Sequence, residues 1–150
     1  MLNLIVADTS CLIVLSKIKR LQILKEIFIS ITITPEIQCE FGEVLPEWIL
    51  VKEIKDKKRQ QILRLQLDDG EASAIALCME NDNSLLLIDE RKGRGIASEL
   101  GLKMMGTLGV IIKAWELKLI GSLADEFEKL KKVDFWISEK IIQKIIDKYE

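Results

Sequence analysis

The fold is decided by residues 67–109, which read LDDGEASAIALCMENDNSLLLIDERKGRGIASELGLKMMGTLG. After Asp68 the small apolar residues follow a helical period, and residues 85–88 form a continuous apolar run of the kind found in strands buried on both faces. Residues 91–100 are again helical, and residues 103–105 form a second, brief strand. Strands that alternate with helices predict βαβ units and a parallel sheet covered on both faces.

The remainder of the chain continues this alternation. We predict further strands at Leu2–Ala7, Ile27–Ile33 and Ile49–Ile54, and further helices at residues 12–21, 35–41, 55–66, 111–119, 123–131 and 136–149. The pattern predicts an α/β protein, a three-layer α/β/α sandwich around a central, mainly parallel sheet. Because 150 residues fit one domain, we expect a single domain over residues 1–150 whose C-terminal helices, residues 123–149, pack on or extend the core.

The composition excludes several classes of enzyme. The chain has no histidine, which excludes Ser-His-Asp hydrolases, Cys-His proteases and zinc sites that contain histidine. It has 22 Lys and Arg against 24 Asp and Glu, for a net charge of −2, so an interaction with nucleic acid would depend on a local basic patch. Carboxylates are therefore the leading candidates for chemistry.

The cysteines and the apolar runs indicate where the protein works. The three cysteines are an odd number without a CxxC pair, which is typical of free thiols in the reducing cytoplasm. No apolar run approaches the roughly 18 residues of a membrane span. The N-terminal run reaches an aspartate at residue 8, too early for a signal peptide. We expect a cytoplasmic protein without a membrane partner.

Four carboxylates are predicted to meet at one edge of the sheet. Asp8 directly follows the first strand and Asp89 follows the strand of residues 85–88, and sites in doubly wound sheets form at such carboxyl ends. Glu71 begins the helix that precedes this strand, and Glu40 lies on the helix after the second strand. Such a cluster must take up protons or bind a cation. Oxygen ligands alone favour Mg²⁺ or Mn²⁺, which indicates metal-assisted hydrolysis of phosphodiesters.

Each acid also has an ordinary structural interpretation. Asp8 could cap the helix that follows it. Glu71 could stabilise a helix N-terminus that is capped by Asp68 or Asp69. Glu40 could be a solvated residue on an exposed helix face, and Asp89 could belong to an ordinary strand-end turn. Convergence of the side chains in space is what favours the metal site, and it is inferred from the expected strand order.

Five segments together resemble one known family. They are VADTS around Asp8, TPEIQCEF with Glu40, LDDGEASAIALC with Glu71, LLLIDERKGRGIA with Asp89, and the turn GTLG at residues 106–109. These segments resemble the PIN-domain nucleases, and the match is closest to the small stand-alone PIN-like proteins of bacteria and archaea that are predicted to bind nucleic acid. The resemblance covers residues 3–120 and is most specific from Glu71 onward.

The resemblance implies a parallel α/β/α sandwich, a site for Mg²⁺ or Mn²⁺, and endonuclease action on RNA, often as the toxin of a toxin–antitoxin pair. Carried over by position, Asp8, Glu40, Glu71 and Asp89 are the metal-holding and catalytic quartet. Supporting roles fall to the hydroxyls of Thr9, Ser10 and Thr107, and to Glu90 as an added or substitute ligand. Glu71 departs from the aspartate of many PIN nucleases, so its longer side chain would shift the ion or change its occupancy.

Several partners follow from the same interpretation. Arg91 and Arg94 come soon enough after Asp89 to contact the RNA backbone, whether the RNA is single-stranded or structured, although a solvated helix start is the alternative. We expect the isoleucine-rich last helix either to cover the core or to form a homodimer interface. An antitoxin protein is a further expected partner. The main alternative function is a catalytically silent PIN-like module that binds RNA or a protein. A receiver-type phosphoacceptor and a DxD phosphatase rank lower.

Overall fold

The computed structural model describes residues 4–150 as alternating strands and helices. The elements follow in the order β1 (Leu4–Ala7), α1 (Thr9–Lys17), α2 (Gln22–Phe28), β2 (Ile31–Ile33), α3 (Pro35–Phe41), β3 (Ile49–Val51), α4 (Lys57–Leu63), α5 (Asp69–Met79), β4 (Ser84–Leu87), α6 (Arg91–Glu99), β5 (Lys103–Met105), α7 (Thr107–Glu116), α8 (Leu123–Lys132) and α9 (Glu139–Tyr149). Residues 2 and 3, the predicted start of the first strand, lie outside the described residues.

The strands form one parallel five-stranded sheet in the order β3-β2-β1-β4-β5. β1 and β4 pair in register from Leu4 opposite Ser84 to Ala7 opposite Leu87. The chain winds outward from β1 in one direction and then crosses to β4 to continue in the other. This reversal leaves a crevice at the carboxyl ends of β1 and β4, which is where doubly wound sheets bind ligands.

Helices cover both faces of the sheet. α7 contacts α1 and α2 on one face, whereas α4 and α6 contact α5 on the other, and α3 contacts both α1 and α5. α5 packs against β1 and β4. Residues 70–78 of this helix are all buried, and the small side chains of Ala72, Ala74 and Ala76 let it approach the sheet closely. The predicted three-layer α/β/α sandwich is confirmed.

The two C-terminal helices pack outside α7. α8 buries Leu123, Phe127 and Leu130 and contacts both α7 and α9. Trp115 of α7 meets Tyr149 of α9 edge to face, with the ring centres 6.1 Å apart. Within residues 4–150, no helix is both long enough and apolar enough to cross a bilayer.

The strand predicted at Ile27–Ile33 is wrong over its first part. Residues 22–28 form helix α2, and only Ile31–Ile33 belong to β2. Ile23 and Leu24 are buried on one side of α2. A short apolar run carries too few residues to distinguish a two-residue period from a helical one. Ile29 then ends the helix with a φ of 73°.

Other predicted boundaries also differ from the structure. The first helix ends at Lys17 because Lys19 adopts a left-handed φ of 60°. The last helix begins after Ser138, whose hydroxyl accepts a hydrogen bond from the amide of Ile141 at 3.1 Å and caps the first turn. Further differences are β3, which ends at Val51, α4, which covers Lys57–Leu63, β4, which covers Ser84–Leu87, and α7, which covers Thr107–Glu116.

Candidate functional site

Five carboxylates line one cavity at the carboxyl ends of β1 and β4. The cavity, which we call the acid pocket, has a volume of about 330 Å³. Its lining residues are Asp8, Thr9, Ser10, Ile13, Glu40, Asp68, Glu71 and Glu90. The acids come from the end of β1, from α3, from the start of α5 and from the start of α6. The structure therefore brings together three of the four predicted carboxylates and three of the four supporting residues.

Asp8 is the buried floor of the acid pocket. Its backbone N–H donates to the carbonyl oxygen of Leu87 at 2.9 Å, which holds it at the junction of β1 and β4. Among residues 4–150, no capping hydrogen bond joins its side chain to the first turn of α1. The hydroxyl of Ser10 donates to Oδ2 at 3.3 Å. Burial, with the nearby charges of Asp68 and Glu40, raises the pKa of Asp8 to about 6.

Glu71 contributes the most deeply constrained carboxylate. It is 6% exposed and forms a capping box with Asp68: its N–H donates to Asp68 Oδ1 at 2.9 Å, and its Oε1 accepts from the Asp68 N–H at 3.4 Å. Its other oxygen, Oε2, is buried and has no hydrogen-bond partner within residues 4–150. Burial, and then the carboxylates of Glu90 and Asp68, raise the pKa of Glu71 to about 8.

Glu40 reaches the acid pocket from α3. The Thr9 hydroxyl donates to Glu40 Oε1 at 2.5 Å, which fixes the carboxylate beside the start of α1. The side chain lies directly over Gly70, where a Cβ atom would collide with Oε1. Glu40 is an exposed residue whose carboxylate is nonetheless held in place. The interpretation of Glu40 as an ordinary solvated side chain therefore leaves out its hydrogen bond with Thr9.

Glu90 stands at the N-terminus of α6. Its carboxylate accepts hydrogen bonds from the N–H groups of Lys92 at 3.0 Å and Gly93 at 2.6 Å. Burial alone would raise the pKa of Glu90, but the hydrogen bonds from these two amides hold it below its usual value. Gly93 is also close to Glu71, since a Cβ there would lie 3.3 Å from Glu71 Oε2. Glu90 thus completes the acid pocket as a charged carboxylate.

Asp89 faces a different part of the molecule. The backbone N–H of Thr107 donates to its Oδ1 at 2.7 Å, and the Thr107 hydroxyl donates to its Oδ2 at 2.5 Å. Asp89 lines a second cavity of about 570 Å³, beside Gly106 and Trp136. Both of its oxygens are therefore engaged with the start of α7, and it is the one member of the predicted quartet that does not line the acid pocket.

The two predicted RNA-contacting arginines have different surroundings. Arg91 is exposed at the start of α6, next to Glu90. Arg94 is half-buried, its Nη1 donates to the carbonyl oxygen of Ile88 at 2.7 Å, and it lines the same cavity as Asp89. Arg94 therefore supports the end of β4 in addition to any contact with a ligand.

Two contributors to the acid pocket were not predicted as site residues. The sequence predicts Asp68 only as a candidate helix cap, which it is, yet it also lines the pocket. No pattern in the sequence marks Gly70, although its missing side chain makes room for Glu40. The spacing of Asp68 three residues before Glu71 is a capping-box signal, and it could have placed both carboxylates together.

The donor set of the acid pocket fits a hard divalent cation. It consists of carboxylate and hydroxyl oxygens only, which Mg²⁺ and Mn²⁺ prefer. Glu71 Oε2 is a buried acceptor without a partner in the part of the chain described, and a cation would satisfy it. As the side chains stand, no three acidic or cysteine side chains of residues 4–150 are grouped closely enough to hold an ion.

Fold and pocket together define an α/β protein with an acidic site at the switch point of a parallel sheet. A family model described as a PIN domain matches residues 4–150. The chain therefore belongs to the PIN-domain family, whose members in general use divalent metals and interact with nucleic acid. No curated protein matches the chain significantly.

Proposed function

We propose that the protein is an endoribonuclease that hydrolyses RNA phosphodiester bonds with Mg²⁺ or Mn²⁺ bound in the acid pocket. The observation that carries this proposal is Glu71 Oε2, a buried oxygen without a hydrogen-bond partner in residues 4–150 that lies among four other acids. Leaving such a group unsatisfied costs about 1–3 kcal/mol. A bound cation would remove that cost and neutralise the repulsion between the carboxylates.

Asp8, Glu40, Glu71 and Glu90 are the residues that would hold the ion. When bound, the ion would orient the scissile phosphate and lower the pKa of the attacking water. Two hydroxyls support the acids directly, because Thr9 donates to Glu40 and Ser10 donates to Asp8.

Asp89 has a positioning role in this proposal, in place of the ligand role implied by the family resemblance. Its two oxygens accept from the N–H and the hydroxyl of Thr107. The same hydroxyl lies 3.5 Å from the sulfur of Cys11 in α1. Asp89 therefore ties the start of α7 to the end of β4 and, through Thr107, to the helix that carries Thr9.

The proposed substrate is RNA, held at the pocket by its backbone. Arg91 is exposed beside Glu90 and is available to a phosphate. Arg94 donates one N–H to Ile88, and a guanidinium carries five donors, so others are available to RNA. Phosphate contacts position the strand without reading its sequence.

The proposal extends to the cellular setting. The protein would act in the cytoplasm as a single PIN domain, as the toxin of a toxin–antitoxin pair with an antitoxin protein as its partner. It would be a homodimer through the apolar residues around α9, where Trp136 is 81% and Ile141 is 44% exposed. Apolar side chains that are exposed together favour such an interface.

Cleavage of a labelled mixed-sequence RNA pool tests the proposal. The purified protein is incubated with Mn²⁺, Mg²⁺ or EDTA, alongside Glu71→Gln and the control Glu26→Gln. Glu26 is exposed on α2, away from the acid pocket, and undergoes the same chemical change. We expect cleavage that requires metal, persists in the control and is lost in Glu71→Gln. Cleavage in EDTA, or equal cleavage by both variants, would contradict the proposal.

A catalytically silent module is the second candidate, and one observation favours it. Glu71, Glu90 and Asp89 each accept backbone N–H groups at the start of a helix, so each acid has a structural role that needs no ion. Under this interpretation RNA stays intact in every metal, and the protein still binds RNA or a protein partner. Intact RNA together with an absence of Mn²⁺ binding would favour this candidate.

A further inference from the structure

A concave basic surface lies at the opposite end of α1 from the acid pocket. This surface, which we call the basic cavity, has a volume of about 470 Å³. Five cationic residues line it: Lys17, Lys19, Arg20, Lys129 and Lys132. They come from the end of α1 and the turn after it, and from the last turns of α8. Ile18 and Val133 supply its apolar lining.

The charge of the basic cavity is largely uncompensated. Glu126 is 2% exposed and bonds both Arg20, at 2.7 Å, and Lys129, at 3.0 Å. Within residues 4–150, no carboxylate lies within ion-pair distance of Lys17, Lys19 or Lys132. These three lysines are all exposed. One carboxylate thus faces five cations in a protein whose overall net charge is −2.

Part of this cationic character has a local explanation. Lysines in the last turn of a helix interact favourably with the helix dipole, which accounts for Lys17, Lys129 and Lys132. It does not account for Lys19 and Arg20, which lie beyond the end of α1. Lys19 adopts a left-handed φ of 60° in the turn. Arg20 is held by Glu126 through both Nε, at 3.2 Å, and Nη2, at 2.7 Å. The turn therefore adds two cations and fixes the guanidinium of one of them.

α1 connects the basic cavity to the acid pocket. Its first residue, Thr9, lines the acid pocket, and its last residue, Lys17, lines the basic cavity. A helix of nine residues is about 14 Å long at a rise of about 1.5 Å per residue. An RNA strand a few nucleotides long can span that distance, whereas a single nucleotide in the acid pocket cannot.

We infer that the basic cavity is a distal binding site for the phosphodiester backbone of RNA, which holds the part of the strand that extends beyond the acid pocket. The inference rests on the proposed function for the identity of the substrate. Phosphates suit the cavity because backbone recognition depends on several cations in a concave surface and needs no base-specific contact. Such a site would favour long RNA over short RNA.

Binding of an uncleavable RNA in EDTA tests the inference directly. The ligand is a 2′-O-methylated strand of about 20 nucleotides, and its affinity is measured by fluorescence anisotropy over a range of salt concentrations. The variant carries Lys17→Gln, Lys19→Gln and Lys132→Gln. The control carries Lys55→Gln, Lys57→Gln and Lys58→Gln near the start of α4, and it makes the same change in net charge.

We expect the salt slope of binding to fall by about 2 in the variant, since each phosphate contact on a single strand contributes about 0.7. The affinity at moderate salt should fall about tenfold, and the control should match the wild type. Equal slopes in wild type and variant would overturn the inference. Binding of a polyglutamate peptide through the same lysines, without binding of RNA, would overturn the assignment to nucleic acid.

Cleavage assays separate this inference from the proposed function. With Mn²⁺ present, the variant should show a raised KM for the long unmodified RNA and unchanged cleavage of a dinucleotide, which occupies the acid pocket alone. If the wild type binds RNA with the lysine-dependent slope and cleaves neither substrate, the nuclease proposal fails and the binding site is supported. If it cleaves both and the variant matches it on both, the distal site is refuted and the nuclease is supported.

Discussion

Asp89 and Glu90 are neighbours in the chain and face two different parts of the molecule. Asp89 has both oxygens bonded to Thr107 and lines the larger, mostly apolar cavity. Glu90 lines the acid pocket with Glu71, whose Oε2 has no partner within residues 4–150. A carboxylate whose oxygens already accept hydrogen bonds from backbone and hydroxyl groups has a structural role. A buried carboxylate with an unfilled acceptor is suited to a ligand.

The largest expected effect is on catalysis by the acid pocket. Glu71→Gln should lower metal-dependent RNA cleavage by more than about a hundredfold, since even residues that only support a metal ligand contribute about 10–100-fold. Because burial raises the pKa of Glu71 to about 8, its side chain is already mostly uncharged at neutral pH without metal, and the amide should leave the melting temperature nearly unchanged. A variant that cleaves RNA at the wild-type rate would remove Glu71 from the site.

At Asp89 we expect the main effect of substitution to be a loss of stability. Asp89→Asn weakens the two hydrogen bonds from Thr107 and should lower the free energy of unfolding by about 2 kcal/mol, as measured by urea denaturation. Thr107→Val, which keeps the side-chain volume and the N–H contact and removes the hydroxyl contacts to Asp89 and Cys11, should lower it by less. Loss of Mn²⁺ affinity by Asp89→Asn without a loss of stability would reverse the roles assigned to the two neighbouring acids.

Gly70 tests whether the position of Glu40 matters. In Gly70→Ala the new Cβ would collide with Glu40 Oε1, and the flexible side chain should move away from Thr9. We expect cleavage to fall about tenfold, comparable to the loss of a residue that orients a ligand, and stability to change little. Gly95→Ala is the matched control, since within residues 4–150 a Cβ there meets no atom within 4 Å apart from its chain neighbours and the backbone of its own helix. An equal effect of both substitutions would exclude a specific role for Glu40.

The smallest expected effect lies in the Arg20–Glu126 pair beneath the basic cavity. Burial alone would raise the pKa of Glu126, but the hydrogen bonds from Arg20 and Lys129 hold it below its ordinary value of 4.5. A lowered pKa in the folded state contributes stability above pH 4.5 that is lost as the pH falls through the folded pKa.

Arg20→Ala should therefore lower the free energy of unfolding by about 1 kcal/mol at neutral pH, with Lys129 retaining part of the interaction. The difference from the wild type should shrink as the pH falls below 4.5. Thermal unfolding of both proteins across this pH range measures it. A difference that stays constant with pH would mean that the pair contributes through packing alone.

Much of the fold could be predicted from short sequence patterns. The continuous apolar run at residues 85–88 and the small-residue helix after Asp68 both correspond to buried elements of the structure. Their alternation was sufficient to predict the parallel sheet. Helix α2 was missed because its apolar residues are few and run directly into those of β2, so neither period is complete.

The candidate site was predicted in outline and differs in its details. Asp8 could be placed at the edge because it follows the first strand, and Glu40 and Glu71 were expected to lean toward the same edge from their helices. Which of two consecutive acids turns toward the pocket depends on the local backbone after β4 and on Thr107, a contact 18 residues away in sequence. The place of Glu40 depends on the absence of a side chain at Gly70, which only the packing of α3 against α5 reveals.

Binding of Mn²⁺ measured by isothermal titration calorimetry tests the central claim most directly. The comparison uses the wild type, Glu71→Gln and Asp89→Asn at neutral pH without RNA. We predict that the wild type and Asp89→Asn bind Mn²⁺ with similar affinity and that Glu71→Gln loses binding. Binding that survives in Glu71→Gln and disappears in a folded Asp89→Asn would contradict the account, because the ion would then belong to the carboxylate beside Thr107.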